Sequence, residues 1–600
     1  MNKKSSKNIF HFWKELRYLL KLYDVNRWIV LLIFLISTIA SATSIAANII
    51  FAYIIDNFLS EKALMKPFDN TNFIWVLIYL IGCYVFGECS LMITHWFTVV
   101  TSQKVAHKIR MKAYKAIMSM PVSFFEKQQR GALMSTLTND VDNVANGLLV
   151  LIGQSMVTFN YTFLCLGFIA YFSPYLFLVT IATLPLFVII IGIFVKLSMP
   201  YYKTKQNQLA KMNSYTEEVI NGQHVLNSFN KNKETIENFR KHNKNLFKPT
   251  LKANIISGIS YPIGYSLSNV MILIVISVGI ILSINGTTGG NGMVSVGSLI
   301  AVYTYIRLFT NKLMESLNVF QSTQQGVSSS SRLKELIELK PEYENENLIK
   351  ITSTHGDVEF QNVSFSYTND LKNLQLKNVS FKAKKGDTIA IVGATGAGKT
   401  TIVNLLSKFY LPTQGKILLD GIDIDSINSN NLRTHISTVL QDVFLFNDSI
   451  MENIRYGNLD ATDEEVIEAC RLSHAHDFIL KLENGYQTQI LEENNILSQG
   501  EKQLISISRA ILANKNILIL DEATSNVDIQ TEKEIQKSII NLTKEKTSFI
   551  IAHRLSTIIN ATKILVVKQG EIIEQGNHEE LIQLNGEYKQ MYESGYENNE

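Results

Sequence analysis

Long apolar stretches fill the first half of the 600-residue chain, whereas short apolar runs alternate with polar ones in the second half. The long stretches carry almost no charge and lie at residues 28–55, 73–97, 143–195 and 253–306. One crossing of a bilayer needs about 20 apolar residues. The last two stretches are long enough for two crossings each and are broken at Ser173-Pro174 and at residues 285–292. The pattern therefore predicts six membrane-spanning helices.

Lysine and arginine residues indicate which connections stay inside the cell. They are frequent in the N-terminal arm and in residues 101–142 and 196–252, and absent from the turns near 174 and 286–295. Both termini are therefore predicted to be cytoplasmic in a multi-pass protein of the plasma (inner) membrane. The two long inside connections keep helical periodicity, which predicts that the spanning helices continue into the cytosol. Residues 1–27 mix aromatic, aliphatic and basic side chains, as an interfacial elbow helix does.

Two carboxylates fall within or beside the first spans. Glu88 lies well inside the second span, where an ionisable group costs about 2.5–3.5 kcal/mol on insertion scales. It is therefore expected to face a cavity, where it contacts substrate or a proton, or to form a hydrogen bond between helices. Asp56, at the outer end of the first span, is interpreted as an interfacial residue only.

The second half opens with a polar stretch, residues 321–356, followed by strand and helix patterns from residue 357 to the end. A predicted strand at 388–392 runs into a glycine-rich loop and then a helix, the context that a phosphate-binding P-loop requires. Glycines let backbone N–H groups turn toward phosphate at a helix N-terminus. Lys399 is predicted to reach the β- and γ-phosphates, and the Thr400 hydroxyl to hold Mg²⁺.

Polar residues follow three further predicted strands of this half. Asp521 and Glu522 end an apolar strand, where the first suits a role linked to Mg²⁺ and the second can polarise an attacking water. Gln441 and His553 also end strands. Ligands bind at the carboxyl ends of parallel strands. Taken with the P-loop, these residues predict ATP hydrolysis.

Together these motifs resemble the ATP-binding cassette (ABC) superfamily, in the form of an exporter half-transporter with six spans ahead of one nucleotide domain. The resemblance covers nearly all of the chain. It implies an all-α six-helix transmembrane domain (28–320), a linker (321–356) and an α/β P-loop nucleotide-binding domain (357–600). It also implies that two nucleotide domains close head-to-tail, so that the signature segment of each, residues 497–501 here, caps the ATP of the other.

The resemblance assigns a role to each motif residue. Catalysis falls to Glu522, the switch histidine His553 and the Q-loop residue Gln441, and Asp528 belongs to the D-loop. Mg²⁺ is assigned to Thr400, Gln441 and Asp521, the last through water. The residues assigned to ATP are Tyr367 (which stacks on adenine), Gly393, Ala394, Thr395, Gly396, Ala397, Gly398, Lys399, Thr400 and Thr401. Those assigned to the opposing ATP are Ser498, Gln499, Gly500 and Glu501.

The signature segment departs from the family pattern, Leu-Ser-Gly-Gly-Gln, because its third and fifth residues are Gln499 and Glu501. Gln499 adds a side chain where backbone would approach the opposing ATP. This combination resembles one half of the heterodimeric bacterial multidrug exporters, whose two ATP sites are unequal. A heterodimer with a second ABC half-transporter is therefore favoured over a homodimer that tolerates Gln499.

Several functions remain open and others are disfavoured. An ATP-driven multidrug exporter is the main prediction, and a homodimeric lipid or peptide exporter or an ATP-gated channel are the alternatives. The transported compound is expected to be a hydrophobic small molecule, lipid or peptide, with Glu88 as a candidate contact in the cavity. The net charge of +3 gives no reason to expect a nucleic-acid partner. The four scattered cysteines predict no disulfide framework.

Overall fold

The chain divides into two compact units. The computed structural model describes residues 26–59, 68–128, 130–284, 288–289, 292–293, 295–339, 348–368, 370–491, 496–521, 529–552 and 558–597. The first unit comprises Met1–Ile117 and Arg130–Leu339, and the second comprises Met118–Gln129 and Lys340–Glu600. The short segment Met118–Gln129 thus belongs with the C-terminal half although both of its neighbours in sequence belong to the first unit.

The N-terminal half is helical. Its helices are α1 (Arg27–Ile54), α2 (Asn70–Met118), α3 (Val122–Lys127), α4 (Arg130–Ser135), α5 (Val141–Leu149), α6 (Ser155–Phe172), α7 (Pro174–Asn221), α8 (Gln223–Ser228), α9 (Asn232–Ile284) and α10 (Val296–Ile337). Short π-helical turns join α4 to α5 and α5 to α6, so residues 130–172 form one helical stretch. A two-strand hairpin, β1 (Thr288–Gly289) and β2 (Gly292–Met293), precedes α10.

Six long helical stretches occupy the positions predicted for the spans and their extensions: α1, α2, α4–α6, α7, α9 and α10. Four segments of the described residues are long and apolar enough to cross a membrane by length and composition: Arg27–Leu59, Asn70–Met118, Gly131–Phe172 and Pro262–Ile284. Helix α2 has 49 residues. At 1.5 Å per residue it is about 70 Å long, more than twice the hydrocarbon core of a bilayer. Residues 102–118, predicted to extend the second span, belong to the same continuous helix as residues 73–97.

Two small residues let α5 and α10 cross closely. A Cβ added to Gly147 would lie 3.1 Å from the Cα of Gly326, and one added to Gly326 would lie 3.1 Å from the backbone oxygen of Asn143. One turn away the Asn143 amide donates to Ser329 Oγ at 3.2 Å, and about two turns away the Arg332 Nε donates a 2.9 Å hydrogen bond to the Asp140 carboxylate. Close backbone approach and polar side chains thus hold this helix pair.

Asp56, predicted to be only an interfacial residue, forms hydrogen bonds to the start of α10. Its carboxylate accepts hydrogen bonds from the Ser295 hydroxyl at 2.5 Å and from the Gly297 backbone N–H at 2.8 Å. These donors belong to the first turn of α10, where four backbone N–H groups lack partners within the helix and where the helix dipole favours negative charge. Asp56 therefore caps α10 and ties it to the end of α1, a role that the sequence pattern does not reveal.

The C-terminal half is α/β. Its strands are β3 (Val358–Phe365), β4 (Leu376–Ala383), β5 (Thr388–Val392), β6 (Gln414–Leu419), β7 (Ile422–Asp423), β8 (Ile436–Val439), β9 (Ile517–Asp521), β10 (Thr547–Ile551), β11 (Lys563–Lys568) and β12 (Glu571–Gly576). Its helices are α11 (Lys399–Leu406), α12 (Ser429–Arg433), α13 (Ile450–Arg455), α14 (Asp463–Leu472), α15 (His476–Lys481), α16 (Gln499–Ala513), α17 (Ile529–Thr543), α18 (His578–Leu584) and α19 (Glu587–Glu597).

Two sheets organise this half. One is ordered β12-β11-β5-β10-β9-β8, with parallel pairing throughout except for the antiparallel edge strand β12. The other is the antiparallel sheet β4-β3-β6-β7. Strands β5, β9 and β10 are almost wholly buried apolar residues, as expected for parallel strands covered on both faces. The predicted order of a helical membrane domain followed by an α/β domain is confirmed.

Candidate nucleotide-binding site

The glycine-rich loop between β5 and α11 has a backbone that other residues rarely adopt. Gly393, Gly396 and Gly398 have φ angles of +152°, +81° and +110°. A Cβ added to Gly393 would lie 2.2 Å from the backbone oxygen of Val567, and one added to Gly398 would lie 2.8 Å from Leu376 Cδ2. Gly393 and Gly398 therefore need glycine both for their positive φ angles and for space, whereas Gly396 needs it for its backbone alone. The loop ends at the N-terminus of α11, where backbone N–H groups and the helix dipole attract an anion.

Lys399 begins α11, and its side chain folds back over the loop. The ammonium donates hydrogen bonds to the backbone oxygens of Gly393 at 2.7 Å and Ala394 at 3.1 Å, and the residue is buried. The next residue, Thr400, is exposed. The structure thus brings one ammonium group and one exposed hydroxyl to the end of the loop. The ammonium suits phosphate, and the hydroxyl suits Mg²⁺.

Tyr367 lies beside the same helix. Its hydroxyl is 3.3 Å from the Thr401 hydroxyl, and its ring meets those of Phe365 and Tyr410 nearly at right angles, with centroid distances of 4.8 and 4.9 Å. Its backbone N–H donates to Gln375 Oε1 at 3.1 Å. The aromatic side chain predicted to stack on adenine is therefore held next to the P-loop helix, with its ring half-buried.

Four parallel strands bring the other predicted residues to one edge of the sheet. In the register, Ile551 of β10 lies opposite both Ile391 of β5 and Asp521 of β9, and Val439 of β8 lies opposite Leu520. The half-buried Asp521 therefore ends its strand level with the P-loop strand, and the exposed Gln441 follows β8 at the same edge. Glu522, Asp528 and His553 lie outside the described residues.

The signature segment forms the N-terminus of α16 and is closed by a capping box. The Glu501 backbone N–H donates to Ser498 Oγ at 3.3 Å, while Glu501 Oε2 accepts from the Ser498 backbone N–H at 2.7 Å and from its hydroxyl at 2.9 Å. Gln499 is exposed and Gly500 is buried. Ser-x-x-Glu is the sequence pattern of a capping box. The capping box is therefore readable in the sequence, in addition to the predicted contact of this motif with the opposing ATP.

Arg509, on the same helix, lies outside the sequence motifs. Its guanidinium donates to the backbone oxygen of Phe444 at 2.7 Å and to Asn453 Oδ1 at 2.6 Å. Burial lowers its pKa from the usual range to about 10. These bonds hold α16 against the segment that follows Gln441, so one side chain connects two of the predicted ligand-binding motifs.

Comparison with known proteins identifies the family. Residues 30–313 match the family described as ABC transporter transmembrane region, and residues 376–525 match the family described as ABC transporter. A protein of Bacillus subtilis named uncharacterized ABC transporter ATP-binding protein YfiC is 36% identical over 576 residues, which cover 95% of this chain and 92% of the relative. The chain belongs to the ABC transporter family.

Further comparisons define the type of ABC transporter. A fatty acid ABC transporter ATP-binding/permease protein of Mycobacterium tuberculosis is 37% identical, over 82% of this chain and 76% of the relative. The solved structure of a bacterial Atm1-family ABC exporter with ATP bound has a TM-score of 0.78 and 25% identity, and covers 95% of this chain and 99% of its own. The chain is therefore an ABC exporter half-transporter, with a membrane domain and an ATP-binding ATPase domain in one polypeptide.

Glu88, the predicted substrate contact, and several aromatic residues of the membrane helices differ in their surroundings. Glu88 is exposed on α2, as are Tyr84, Phe86 and Trp96. Tyr305, in contrast, is fully buried: its hydroxyl donates to the Ile45 backbone oxygen at 3.2 Å, and its ring packs against Phe168 and Phe172. Tyr305 is thus a core residue of this ABC exporter, because its phenol is satisfied inside the helix bundle.

Proposed function

We propose that this chain is one half of a heterodimeric ABC exporter of the plasma membrane, which uses ATP to move hydrophobic or amphipathic compounds outward by alternating access. The observation that supports a heterodimer is the capping box of the signature segment, which lies in the same chain as a P-loop. The P-loop of such a chain forms a working ATP site together with the signature of the partner. Its own altered signature faces the ATP that is bound to the partner.

The P-loop side has the groups that ATP and Mg²⁺ require. Lys399 exchanges its two bonds with loop carbonyls for bonds to the β- and γ-phosphates, and Tyr367 stacks on the base. Thr400, Gln441 and, through water, Asp521 hold Mg²⁺, since hydroxyl, amide and carboxylate oxygens are the hard donors that this cation prefers. Glu522 acts as general base toward the attacking water, His553 contacts the γ-phosphate, and Asp528 belongs to the contact between the two nucleotide domains.

The signature side has an electrostatic disadvantage. The Glu501 carboxylate accepts hydrogen bonds from the backbone N–H and the hydroxyl of Ser498. A triphosphate that approaches this helix end therefore meets a negative charge. The interaction of a charged group with a helix terminus is worth about 0.3–2 kcal/mol. The opposing ATP is therefore bound less favourably there than by a signature with a neutral glutamine at that position.

A lipid or another amphipathic compound is the substrate class that best fits the membrane domain. One relative of this chain is named a fatty acid transporter. The exposed side of α2 bears large aromatic residues, and the single carboxylate Glu88 lies among them. An intramembrane carboxylate needs a polar partner or a water-filled cavity. We therefore assign Glu88 to the transport pathway, where it suits a substrate with an apolar body and a polar head.

The decisive experiment measures ATPase activity of the chain purified alone in lipid, beside the same chain co-expressed with a candidate partner half. Activity that appears only with the partner and disappears in Glu522→Gln supports the heterodimer with the working site in this chain. Robust activity of the chain alone, with the mass of a dimer, contradicts the heterodimer and supports a homodimeric lipid or peptide exporter.

A further inference from the structure

Arg307 is a charged residue within the part of α10 that lies in the membrane. Helix α10 begins at Val296, so Arg307 is about 16 Å along it at 1.5 Å per residue. A helix that crosses the bilayer core needs about 20 residues, which places Arg307 near the middle of the crossing segment. Arg307 is exposed. Ionisable residues in membrane helices face a water-filled cavity or a partner and avoid hydrocarbon. Its guanidinium therefore points to a polar compartment beside α10.

Two tyrosines hold the Arg307 guanidinium in place. Its Nη1 donates to the Tyr303 hydroxyl at 3.2 Å, and its Nη2 donates to the Tyr265 hydroxyl at 3.4 Å. The guanidinium carbon also lies 6.0 Å from the centroid of the Tyr265 ring, a cation–π distance. Tyr303 is one turn earlier on α10, whereas Tyr265 is on α9. The buried hydroxyls of Ser268 and Thr310, 2.6 Å apart, join the same two helices nearby. The guanidinium is thus fixed between two helices.

The cluster of Arg307, Tyr303 and Tyr265 presents hydrogen-bond donors and a positive charge. A guanidinium has N–H donors and no acceptor, and a phenol that accepts from it still has its own proton to donate. Lys312, further along α10, is paired with the Glu315 carboxylate at 2.8 Å. Among the described residues no carboxylate pairs with Arg307 in this way, since its hydrogen bonds go to the two phenols. The remaining donors and the charge are therefore satisfied best by an anion.

An apolar stripe on α9 begins about two turns beyond Tyr265. Leu273, Ile280 and Ile284 are exposed there, at spacings that place them on one side of the helix. All of them belong to Pro262–Ile284, a segment long and apolar enough to cross a membrane. Along the helix, Leu273 is about 12 Å and Ile284 about 28 Å from Tyr265. An apolar chain along this stripe therefore leaves its head beside the Arg307 cluster.

We propose that Arg307, Tyr303 and Tyr265 bind the anionic head of an amphiphile, a carboxylate or a phosphate, whose apolar chain lies along α9. The inference rests on the proposed function and deepens it, since it gives the exported compound a negatively charged head. The planar guanidinium suits both anions because its parallel N–H groups match two oxygen atoms of either. A carboxylate such as Glu88 would repel this head, so the preference for an anion is specific to the Arg307 cluster.

Photoaffinity labelling tests the proposal on the full-length chain in phosphatidylcholine nanodiscs, with its partner half where one co-purifies and without nucleotide. The probe is a fatty acid with a diazirine in its chain, and mass spectrometry measures the labelling of α9 and α10. The competitors share one oleyl chain: oleate carries a carboxylate, oleoyl lysophosphatidate a phosphate, and oleyl alcohol no charge. We expect one or both anions to displace the probe at about tenfold lower concentration than the alcohol, because hydrogen bonds to an ionised group are at stake. The order of the two anions distinguishes a carboxylate from a phosphate substrate.

Three variants complete the test. Arg307→Gln keeps a polar side chain but removes the charge, so the preference for an anion over the alcohol should disappear. Lys312→Gln is the matched control: it removes a positive charge from the same helix, but one that Glu315 already balances, and the preference should remain. Tyr265→Phe keeps the ring and removes one donor, which should reduce the preference about threefold. This last variant keeps the test valid if Arg307→Gln does not fold.

Four results overturn the anion site. They are labelling outside α9 and α10, equal displacement by all three competitors from the unaltered protein, an unchanged preference in Arg307→Gln or Tyr265→Phe, and an equal loss in Lys312→Gln. Failure of the proposed function gives a different result. If the preference is present but the unaltered protein hydrolyses no ATP with its partner or alone, the export function is contradicted and the anion site stands.

Discussion

The P-loop and the signature segment both lie at the N-terminus of a helix, yet they present opposite charges there. Helix α11 begins with Lys399, whose ammonium lies against the loop carbonyls, after glycines with positive φ angles. Helix α16 begins after Ser498, whose backbone N–H and hydroxyl both donate to the Glu501 carboxylate. Two helix N-termini therefore do not make two equal anion sites. The side chain that reaches the helix end decides whether phosphate is attracted or repelled.

This comparison gives the proposed asymmetry of the dimer a physical basis. In the proposed dimer the signature segment acts on the nucleotide of the partner, so its carboxylate would not weaken the P-loop of its own chain. One polypeptide could therefore combine the proposed catalytic groups with a poor cap for the opposing site.

The largest effect is expected from Glu522→Gln. The glutamine keeps the size and most ground-state contacts of the side chain but cannot accept a proton, and general-base catalysis contributes about 10²- to 10⁴-fold. We expect ATP turnover to fall by that factor while ATP affinity is retained, as measured by steady-state ATPase and equilibrium binding. Near-normal turnover would exclude Glu522 as the base.

Lys399→Ala should act on binding itself. Losing hydrogen bonds from a cation to phosphate costs about 1.5–3 kcal/mol, or roughly ten- to a hundredfold in Kd. Isothermal titration with ATP measures the change in Kd. The control variant is Lys372→Ala, since Lys372 is exposed. Lys408→Ala is a poor control because Lys408 is buried and bonded to backbone oxygens. Unchanged ATP affinity in Lys399→Ala would contradict the P-loop assignment.

Local pattern predicted most of the nucleotide domain, because its motifs are short and each requires a particular backbone. The apolar strands, the glycine loop and the polar residues at strand ends are read from neighbouring residues, and the parallel register then aligns Asp521 with the P-loop strand. The cap of α10 by Asp56 and the bond from Tyr410 to Glu126 join residues far apart in sequence. Such contacts depend on how helices and loops are placed, which periodicity does not encode.

The smallest and most specific effect concerns Glu501→Gln. Glutamine still accepts the hydrogen bonds of a capping box, so the helix end keeps its structure while the negative charge is removed. We expect the ATP site of the partner to gain about two- to thirtyfold in kcat/KM for ATP, from the 0.3–2 kcal/mol that a charge contributes at a helix terminus. Measuring ATPase in a Glu522→Gln background, with the partner present, isolates that site because this chain's own site is then silent.

Ser498→Ala distinguishes the effect of the charge at the N-terminus of α16 from the effect of its capping structure. It deletes the capping hydroxyl, which costs about 1 kcal/mol of stability, and it leaves the carboxylate of Glu501 in place. Partner-site turnover should therefore not rise in Ser498→Ala, although the melting temperature falls by about 2–4 °C for a domain of this size. A gain in Ser498→Ala equal to that in Glu501→Gln would mean that loosening the helix end, and not removing its charge, activates the opposing site.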